Sequence, residues 1–302
     1  MISKDKFNAI TGYVFPDGLR DAVRTADALQ MPLLLTGLPG TGKTAAAKAI
    51  VQVLKNEYGT NVVYREFNTK SISVFKDLLY TYNHLKHFLD VQLQKKDIDI
   101  ERDYIKRNAL GKAIEDDKNH SVMLIDEIDK APRDFPNDLL DVFDKMKMEI
   151  PELGYVGEEA IKYKHNRKPF VVMTSNSEKS LPEAFLRRCI FYYIPFPQGE
   201  ILKDILLEHT DKKGFIKDNF KSIEKFFDDI REKMNLKPPA TAELINWLDF
   251  IVNINNAENI IKNLKYGSTE NLTTEEIEIL RMSFSILAKT TKDFDAIHNA
   301  YK

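Results

Sequence analysis

The sequence predicts an α/β fold with a parallel five-stranded sheet, followed by a smaller all-helical domain. Two observations predict it. Short apolar runs of strand length alternate with longer stretches of helical spacing over the first two thirds of the chain, and after Pro197 only amphipathic helices follow. This alternation is what βαβ crossovers and a mostly parallel sheet require. We therefore expect residues 1–197 to form a layered α/β core and residues 198–302 to form a helical domain.

The predicted strands are short apolar runs of strand length: Leu33–Leu35, Val62–Phe67, Val122–Ile125, Phe170–Met173 and Ile190–Ile194. Between them, Ala45–Asn56 and Phe135–Met146 have helical spacing. The second domain has amphipathic stretches at Ile201–Glu208, Ser222–Met234, Ala242–Asn253, Thr274–Leu287 and Asp293–Tyr301. We interpret the charge-rich stretch Lys95–Lys118 as a solvated helix or surface insertion.

Composition excludes several classes of protein. With 12 Gly, 12 Pro, 43% hydrophobic and 30% charged residues among 302, the chain is neither collagen-like, disordered nor membrane-spanning. Its 46 acidic and 44 basic side chains give a net charge of -2, which argues against nucleic-acid binding through bulk positive charge. The single cysteine, Cys189, can form no internal disulfide. We see no targeting segment and expect a cytoplasmic protein without a membrane span.

The segment after the first predicted strand matches the phosphate-binding pattern G-x-x-x-x-G-K-[ST]. It consists of Gly37, Leu38, Pro39, Gly40, Thr41, Gly42, Lys43 and Thr44, with Ala45 next. Glycines let backbone N–H groups converge on phosphate oxygens, and the helix start adds the positive end of its dipole. We expect Lys43 to reach the β and γ phosphates of a nucleotide and Thr44 to ligate the bridging Mg²⁺. The alternative, a glycine-rich turn that holds nothing, is disfavoured by the full match in this context.

Two acids follow the third predicted strand directly. Asp126 and Glu127 come at the point where burial ends, which in a parallel sheet is the edge where ligands sit. Asp126 has the position of a magnesium-shell carboxylate, and Glu127 has the position of a base that polarises water for attack on the γ phosphate. The alternative is a solvated acidic turn that also includes Asp129 and Lys130.

With both motifs in place, the chain resembles an AAA+ ATPase, and within that superfamily it most resembles the MoxR branch. Phe170–Asn176 is similar to the sensor 1 segment, which implies that Asn176 helps orient the attacking water. Leu181–Cys189 is similar to the segment that supplies an arginine finger to the neighbouring subunit, with Arg188 as the better match and Arg187 as the second. A guanidinium is always charged and can neutralise charge developing on a γ phosphate. The alternative for both arginines is a surface ion pair.

Other segments carry the resemblance to the MoxR branch or depart from it. Asn68–Ser71 leads into the region where that family carries an insertion, and Met148–Gly154 looks like its pre-sensor hairpin. Many relatives have a sensor 2 arginine in the helical lid, but here Ala242 stands at the matching position, with Lys237 as a nearby substitute. This departure concerns the coupling of lid movement to nucleotide state.

Weaker features have ordinary interpretations beside the functional ones. Ile10, Tyr13 and Val14 match positions that line the adenine pocket in the family, although an apolar anchor packed on the core is an equal interpretation. His84 and His87 lie one helical turn apart, but without a third ligand we do not expect a metal site.

The resemblance implies Mg²⁺-dependent hydrolysis of ATP to ADP and phosphate by a homo-oligomeric ring, with a hexamer as the expected size. It further implies chaperone-like remodelling of a protein client, with a von Willebrand factor A domain adaptor as partner. One alternative is a nucleic-acid-directed motor of the helicase-loader or restriction type, which the absence of a basic stripe disfavours. Another is an ATP-gated assembly scaffold with little turnover, for which Ala242 is the only support.

Overall fold

The computed structural model describes residues 2–59, 61–176, 180–264 and 271–301. The chain divides into two compact units. One, the α/β unit, comprises residues 1–10, 17–37 and 43–193. The other, the helical unit, comprises residues 11–16, 38–42 and 194–302.

The strands of the α/β unit are β1 (Leu33–Thr36), β2 (Val62–Asn68), β3 (Tyr80–Tyr82), β4 (Ile105–Arg107), β5 (His120–Asp126), β6 (Lys147–Met148), β7 (Ile161–Lys162), β8 (Phe170–Ser175) and β9 (Ile190–Tyr193). Its helices are α1 (Asp5–Asn8), α2 (Asp17–Leu29), α3 (Lys43–Tyr58), α4 (Lys76–Leu79), α5 (His84–Gln92), α6 (Ile100–Tyr104), α7 (Ala109–Glu115), α8 (Phe135–Lys145) and α9 (Glu183–Leu186). The helical unit contains α10 (Gly199–His209), α11 (Lys213–Lys233), α12 (Thr241–Ile251), α13 (Ala257–Leu264), α14 (Thr274–Leu287) and α15 (Thr291–Ala300).

The central sheet has five parallel strands in the order β2-β5-β8-β1-β9, which confirms the predicted fold class. Both faces of its inner strands are buried, as a parallel sheet covered by helices requires. Leu34, Met123 and Met173 pack in one cluster with Phe135 of α8. The intervening residues of these strands are buried as well, and α2 and α3 contact the strands of the sheet.

The carboxyl ends of neighbouring strands lie at one edge of the sheet. Thr36 at the end of β1 is in register with Ser175 at the end of β8 and with Tyr193 at the end of β9. At the end of β5, Asp126 is in register with Asn68 of β2. The segments that follow these strands therefore start from the same edge, where ligands bind in open α/β sheets.

The helical unit packs around an aromatic centre. Trp247 of α12 is fully buried and stacks on Phe226 of α11, with ring centroids 4.8 Å apart. Its Nε1 donates to Ser283 Oγ of α14 at 2.9 Å, which satisfies the one polar atom of the indole. The core that α11, α12 and α14 share thus explains their amphipathic spacing.

Some elements differ from their predictions. The charge-rich stretch 95–118 is not simply solvated, because α7 buries Leu110, Ala113 and Ile114. β3 and β4, which precede α7 in the chain, pair in an antiparallel hairpin. Helix α5, which lies between these strands in sequence, buries no side chain. In the helical unit, α11 begins at Lys213 rather than at Ser222, and α13 was not predicted.

The segment Met148–Gly154 takes part in a small antiparallel ladder, in which β6 pairs with β7 and Ile150 bridges to Tyr155. None of the described helices combines the length and the apolar composition needed to cross a bilayer.

Candidate nucleotide site

The carboxyl end of β5 meets the start of α3 and the end of β8. Thr44 Oγ1 donates to the carboxylate of Asp126, 3.2 Å from Oδ1 and 3.3 Å from Oδ2. The hydroxyl of Thr174, from β8, donates to Asp126 Oδ1 at 2.5 Å. The predicted metal ligands Thr44 and Asp126 therefore lie together, although they are far apart in sequence.

Glu127 has a strained backbone that Thr174 holds in place. Its φ of 55° and ψ of 51° lie in the left-handed region, which is uncommon for a residue with a side chain. The N–H of Glu127 donates to Thr174 Oγ1 at 2.8 Å. One hydroxyl therefore contacts both the carboxylate of Asp126 and the backbone of Glu127, and strain of this kind clusters at functional sites.

The carboxylate of Glu127 is held from both sides. Asn176 Nδ2 donates to Oε1 at 3.2 Å, and Lys130 Nζ donates to Oε2 at 2.5 Å. The backbone N–H of Asn176 donates in turn to Asp129 Oδ2 at 3.2 Å. Asp129 is only 2% exposed, so the interpretation of this turn as a solvated acidic one is wrong for Asp129. The structure thus brings Asn176 to the carboxylate of Glu127.

Lys43 is a buried cation at the same edge. Its Nζ donates to the carbonyl oxygen of Gly37 at 2.8 Å. Burial lowers the pKa of Lys43, although nearby carboxylates, led by Asp129, oppose this effect. A buried ammonium of this kind is a strong donor for an anion that displaces the carbonyl.

The glycines of the phosphate loop have backbone conformations that a side chain would strain. Gly40 and Gly42 have φ values of 77° and 86°. A Cβ on Gly42 would lie 3.6 Å from Cε2 of Tyr13, so the predicted adenine-pocket residue Tyr13 lies beside the loop. Tyr13 also packs edge to face on Phe15, with ring centroids 4.8 Å apart, and Val14 is half-buried.

The start of α12 also lies beside the phosphate loop. A Cβ on Gly40 would lie 3.0 Å from Cβ of Ala240 and 3.6 Å from Cβ of Ala242. Ala242 is thus close to the loop, but its methyl group supplies no donor for a phosphate. Lys237 has an exposed side chain, and its backbone N–H donates to Asp293 Oδ2 at 3.0 Å.

The arginines predicted as finger residues are exposed at the end of α9. Arg187 forms an ion pair with Glu183 one turn earlier, as the alternative of a surface ion pair predicts. Arg188 Nη1 donates to the carbonyl of Ala184 at 3.2 Å.

Cys189, beside them, is buried. Burial raises the pKa of its thiol to about 12, which opposes reactivity. The His84–His87 pair gains no further ligand either, since the described residues contain no cluster of three or more His, Cys, Asp or Glu that could hold a metal.

Sequence reasoning missed Thr174 and Asp129. Thr174 lies in the segment Phe170–Asn176, but no role was predicted for it, and its hydroxyl joins Asp126 to Glu127. The signal was a polar residue near the end of a buried strand, two positions before Asn176. Asp129 was named only within the alternative of a solvated acidic turn, although it follows Ile128, an apolar residue that is buried.

A parallel α/β sheet with a glycine-rich loop between β1 and α3 defines a protein of the P-loop class. Comparison with protein families matches residues 33–196 to the ATPase family associated with various cellular activities (AAA). This match covers more than half of the 302-residue chain. The chain belongs to the AAA family of ATPases.

The other comparisons add little to that assignment. No curated protein matches the sequence. Among solved structures, the chain is similar to the structure of C. elegans PCH-2, with 16% sequence identity and a TM-score of 0.41. That match covers 97% of this chain and 72% of the other.

Proposed function

We propose that the protein is a Mg²⁺-dependent ATPase that hydrolyses ATP to ADP and phosphate at the edge formed by β1, β5 and β8. The observation that carries this proposal is the junction of Thr44, Asp126 and Thr174, which aligns the start of the phosphate-loop helix with the acidic end of β5. Membership of the AAA family supports the same activity.

The oxygen atoms at this junction are suitable ligands for Mg²⁺. A hydroxyl oxygen and a carboxylate oxygen are hard ligands, and Mg²⁺ is usually held by one or two carboxylates together with substrate phosphates and water. Thr44 and Asp126 would hold the ion, which would supply positive charge to offset the negative charge of the phosphates. The hydrogen bond from Thr44 to Asp126 keeps both oxygen ligands in one place before binding.

The remaining residues of the site have separate tasks. The backbone of the loop Gly37–Thr44 binds phosphate oxygens, and Lys43 exchanges its bond to the Gly37 carbonyl for a phosphate oxygen. Glu127 accepts a proton from the attacking water, while Asn176 fixes the Glu127 carboxylate through its amide.

The assembly is part of the proposal. AAA proteins commonly form rings, and Arg188 is exposed, so we propose that it completes the site of the adjacent subunit in a homo-oligomeric ring, with a hexamer as the working size. Arg187 is the second candidate. We further propose a MoxR-like role, in which the ring remodels a protein client with a von Willebrand factor A domain adaptor. The insertion between β2 and α7 and the ladder of β6 and β7 support this role.

Mixing two inactive variants tests the shared site. We expect Lys43→Ala to lose nucleotide binding and Arg188→Ala to lose turnover while still binding ATP. In a mixture, some interfaces combine an intact Lys43 with a neighbour's intact Arg188, so phosphate release should recover part of the wild-type rate. Mixing Arg188→Ala with the double variant Lys43→Ala/Arg188→Ala provides the control, because no interface in that mixture combines both intact residues. No recovery at any ratio would remove Arg188 from the neighbouring site.

A further inference from the structure

A polar cavity of about 530 Å³ lies in the α/β unit along β2, the strand that pairs with β5. One wall consists of consecutive residues of β2, from Tyr64 to Asn68. The lining also includes Thr81 of β3, Lys106 of β4 and the start of α7. A volume of this size is typical of ligand sites and is enough for a few residues of extended peptide.

The wall formed by β2 is a free strand edge. β2 is the outermost strand of the sheet and pairs with β5 on one side, and no described strand pairs with its other side. In a parallel ladder, every second residue directs its N–H and C=O groups to a given side. The outer groups of β2 are therefore available to an added strand, and such edges are templates for peptide binding.

The cavity is rich in lysines that have no carboxylate partner among the described residues. Lys70, Lys106 and Lys112 line it and are exposed. The arginines of the lining are different, since Arg65 pairs with Asp116 and Arg107 pairs with two glutamates.

The carboxylates of the lining already accept hydrogen bonds. Glu66 accepts from the hydroxyl of Tyr64 at 2.8 Å, and Asp77 accepts from the N–H of Val74 at 3.0 Å. Among the described residues, the charged groups of this lining that form no ion pair include the ammonium groups of Lys70, Lys106 and Lys112, which favour a ligand with carboxylates.

We propose that this cavity binds an extended acidic segment of a partner protein, which adds as a strand to the free edge of β2. Its backbone pairs with β2, and its acidic side chains meet Lys70, Lys106 and Lys112. A strand edge favours a peptide over a nucleic acid, because only a peptide can satisfy backbone N–H and C=O groups in a ladder. The assignment of this segment to the client or adaptor rests on the proposed function, whereas the binding itself does not.

Peptide binding to the full chain without nucleotide tests the proposal. The probe is a fluorescein-labelled, end-blocked octapeptide of alternating Glu and Val, followed by fluorescence anisotropy at low salt. We expect K70A/K106A/K112A to bind it about tenfold more weakly, since each exposed charge pair contributes modestly. The matched control K55A/K217A/K292A removes exposed lysines elsewhere and should bind like the wild type. Far-UV circular dichroism confirms that both variants are folded.

Altered peptides, tested on the wild-type protein, separate the contribution of charge from that of backbone pairing. A peptide with Gln in place of Glu should bind more weakly, and so should an acidic peptide whose alternate amides are N-methylated, because it keeps its charge but cannot complete the ladder. Equal binding of the N-methylated peptide would overturn the strand addition. Absence of peptide binding, equal binding by K70A/K106A/K112A, or tighter binding of an eight-residue oligothymidylate at the same lysines would overturn the proposal. Because no nucleotide is present, these results do not depend on ATP hydrolysis.

Discussion

The two units of this protein use buried polar groups in different ways. In the α/β unit, several buried polar side chains lie at the ends of strands and in the segments after them: Thr36, Lys43, Asp129, Thr174 and Ser175. In the helical unit, Glu276 and Asp293 are buried as well, but they close helix ends and loops. Burying a polar group costs free energy in both units. In the α/β unit these groups lie at the candidate ligand site, whereas in the helical unit they stabilise the fold. Substitutions in the two units should therefore separate turnover from stability.

The largest effect on stability is expected at the centre of the helical unit. Trp247→Ala should lower the free energy of unfolding of this unit by about 3–5 kcal/mol, because it removes a fully buried indole and its bond to Ser283. Urea unfolding followed by far-UV circular dichroism measures it, since Trp247 is the only tryptophan of the chain and fluorescence is lost. Trp247→Phe keeps most of the volume and should cost less. A stable Trp247→Ala protein would contradict the division of roles.

In the α/β unit, the corresponding test is Thr174. Thr174→Val keeps the shape of the side chain but removes the hydroxyl that joins Asp126 to Glu127. We expect kcat for ATP to fall about tenfold or more, with a smaller change in KM, because the strained Glu127 loses its anchor. Phosphate release measures both constants.

Thr174→Ser is the control for this prediction, because it restores the hydroxyl and should recover most of the rate. If Ser and Val have equal rates, the hydroxyl of Thr174 does not position the site.

A smaller effect, with a pH dependence, is expected at Asp293. Burial raises the pKa of this carboxyl, but donors that include the Thr290 hydroxyl and the N–H groups of Leu236 and Lys237 outweigh it, so the pKa lies below its ordinary value. A group with a lowered folded pKa stabilises the fold above its unfolded pKa of about 3.9, and this contribution is lost as pH falls through the folded pKa.

Asp293→Asn should therefore cost about 1–2 kcal/mol at pH 7 and progressively less below about pH 4. Thermal unfolding of both proteins between pH 7 and pH 3.5 measures the difference. A constant difference over this range would show that the charge of Asp293 does not contribute. Asp295→Asn, which alters a neighbouring carboxylate of α15, serves as the control.

Much of the fold could be predicted because parallel strands buried on both faces read as apolar runs. Each of the predicted runs lies on a strand of the sheet, and the ends differ by a few residues. The hairpin of β3 and β4 could not be predicted, since its strands are short and polar and their pairing joins residues far apart in sequence. α13 was missed because it is short and lies among polar residues.

The candidate site could be predicted only where a motif fixes the spacing. Lys43 and Thr44 follow from the loop pattern, and Asp126 follows from its place at a strand end. The contact of Thr174 with Asp126 could not be predicted, because it depends on β8 lying beside β5 in the sheet, which no local pattern encodes. The cavity beside β2 has the same origin, since its lysines come from separate elements.

The most direct test of the central claim is the comparison of ATP binding and ATP turnover in Glu127→Gln. The amide keeps the shape of the side chain but cannot accept a proton, so we expect ATP to bind with little change in Kd while phosphate release falls about 10²-fold or more. This result requires a wild-type protein that hydrolyses ATP, measured in parallel. Turnover by Glu127→Gln at the wild-type rate would contradict the account.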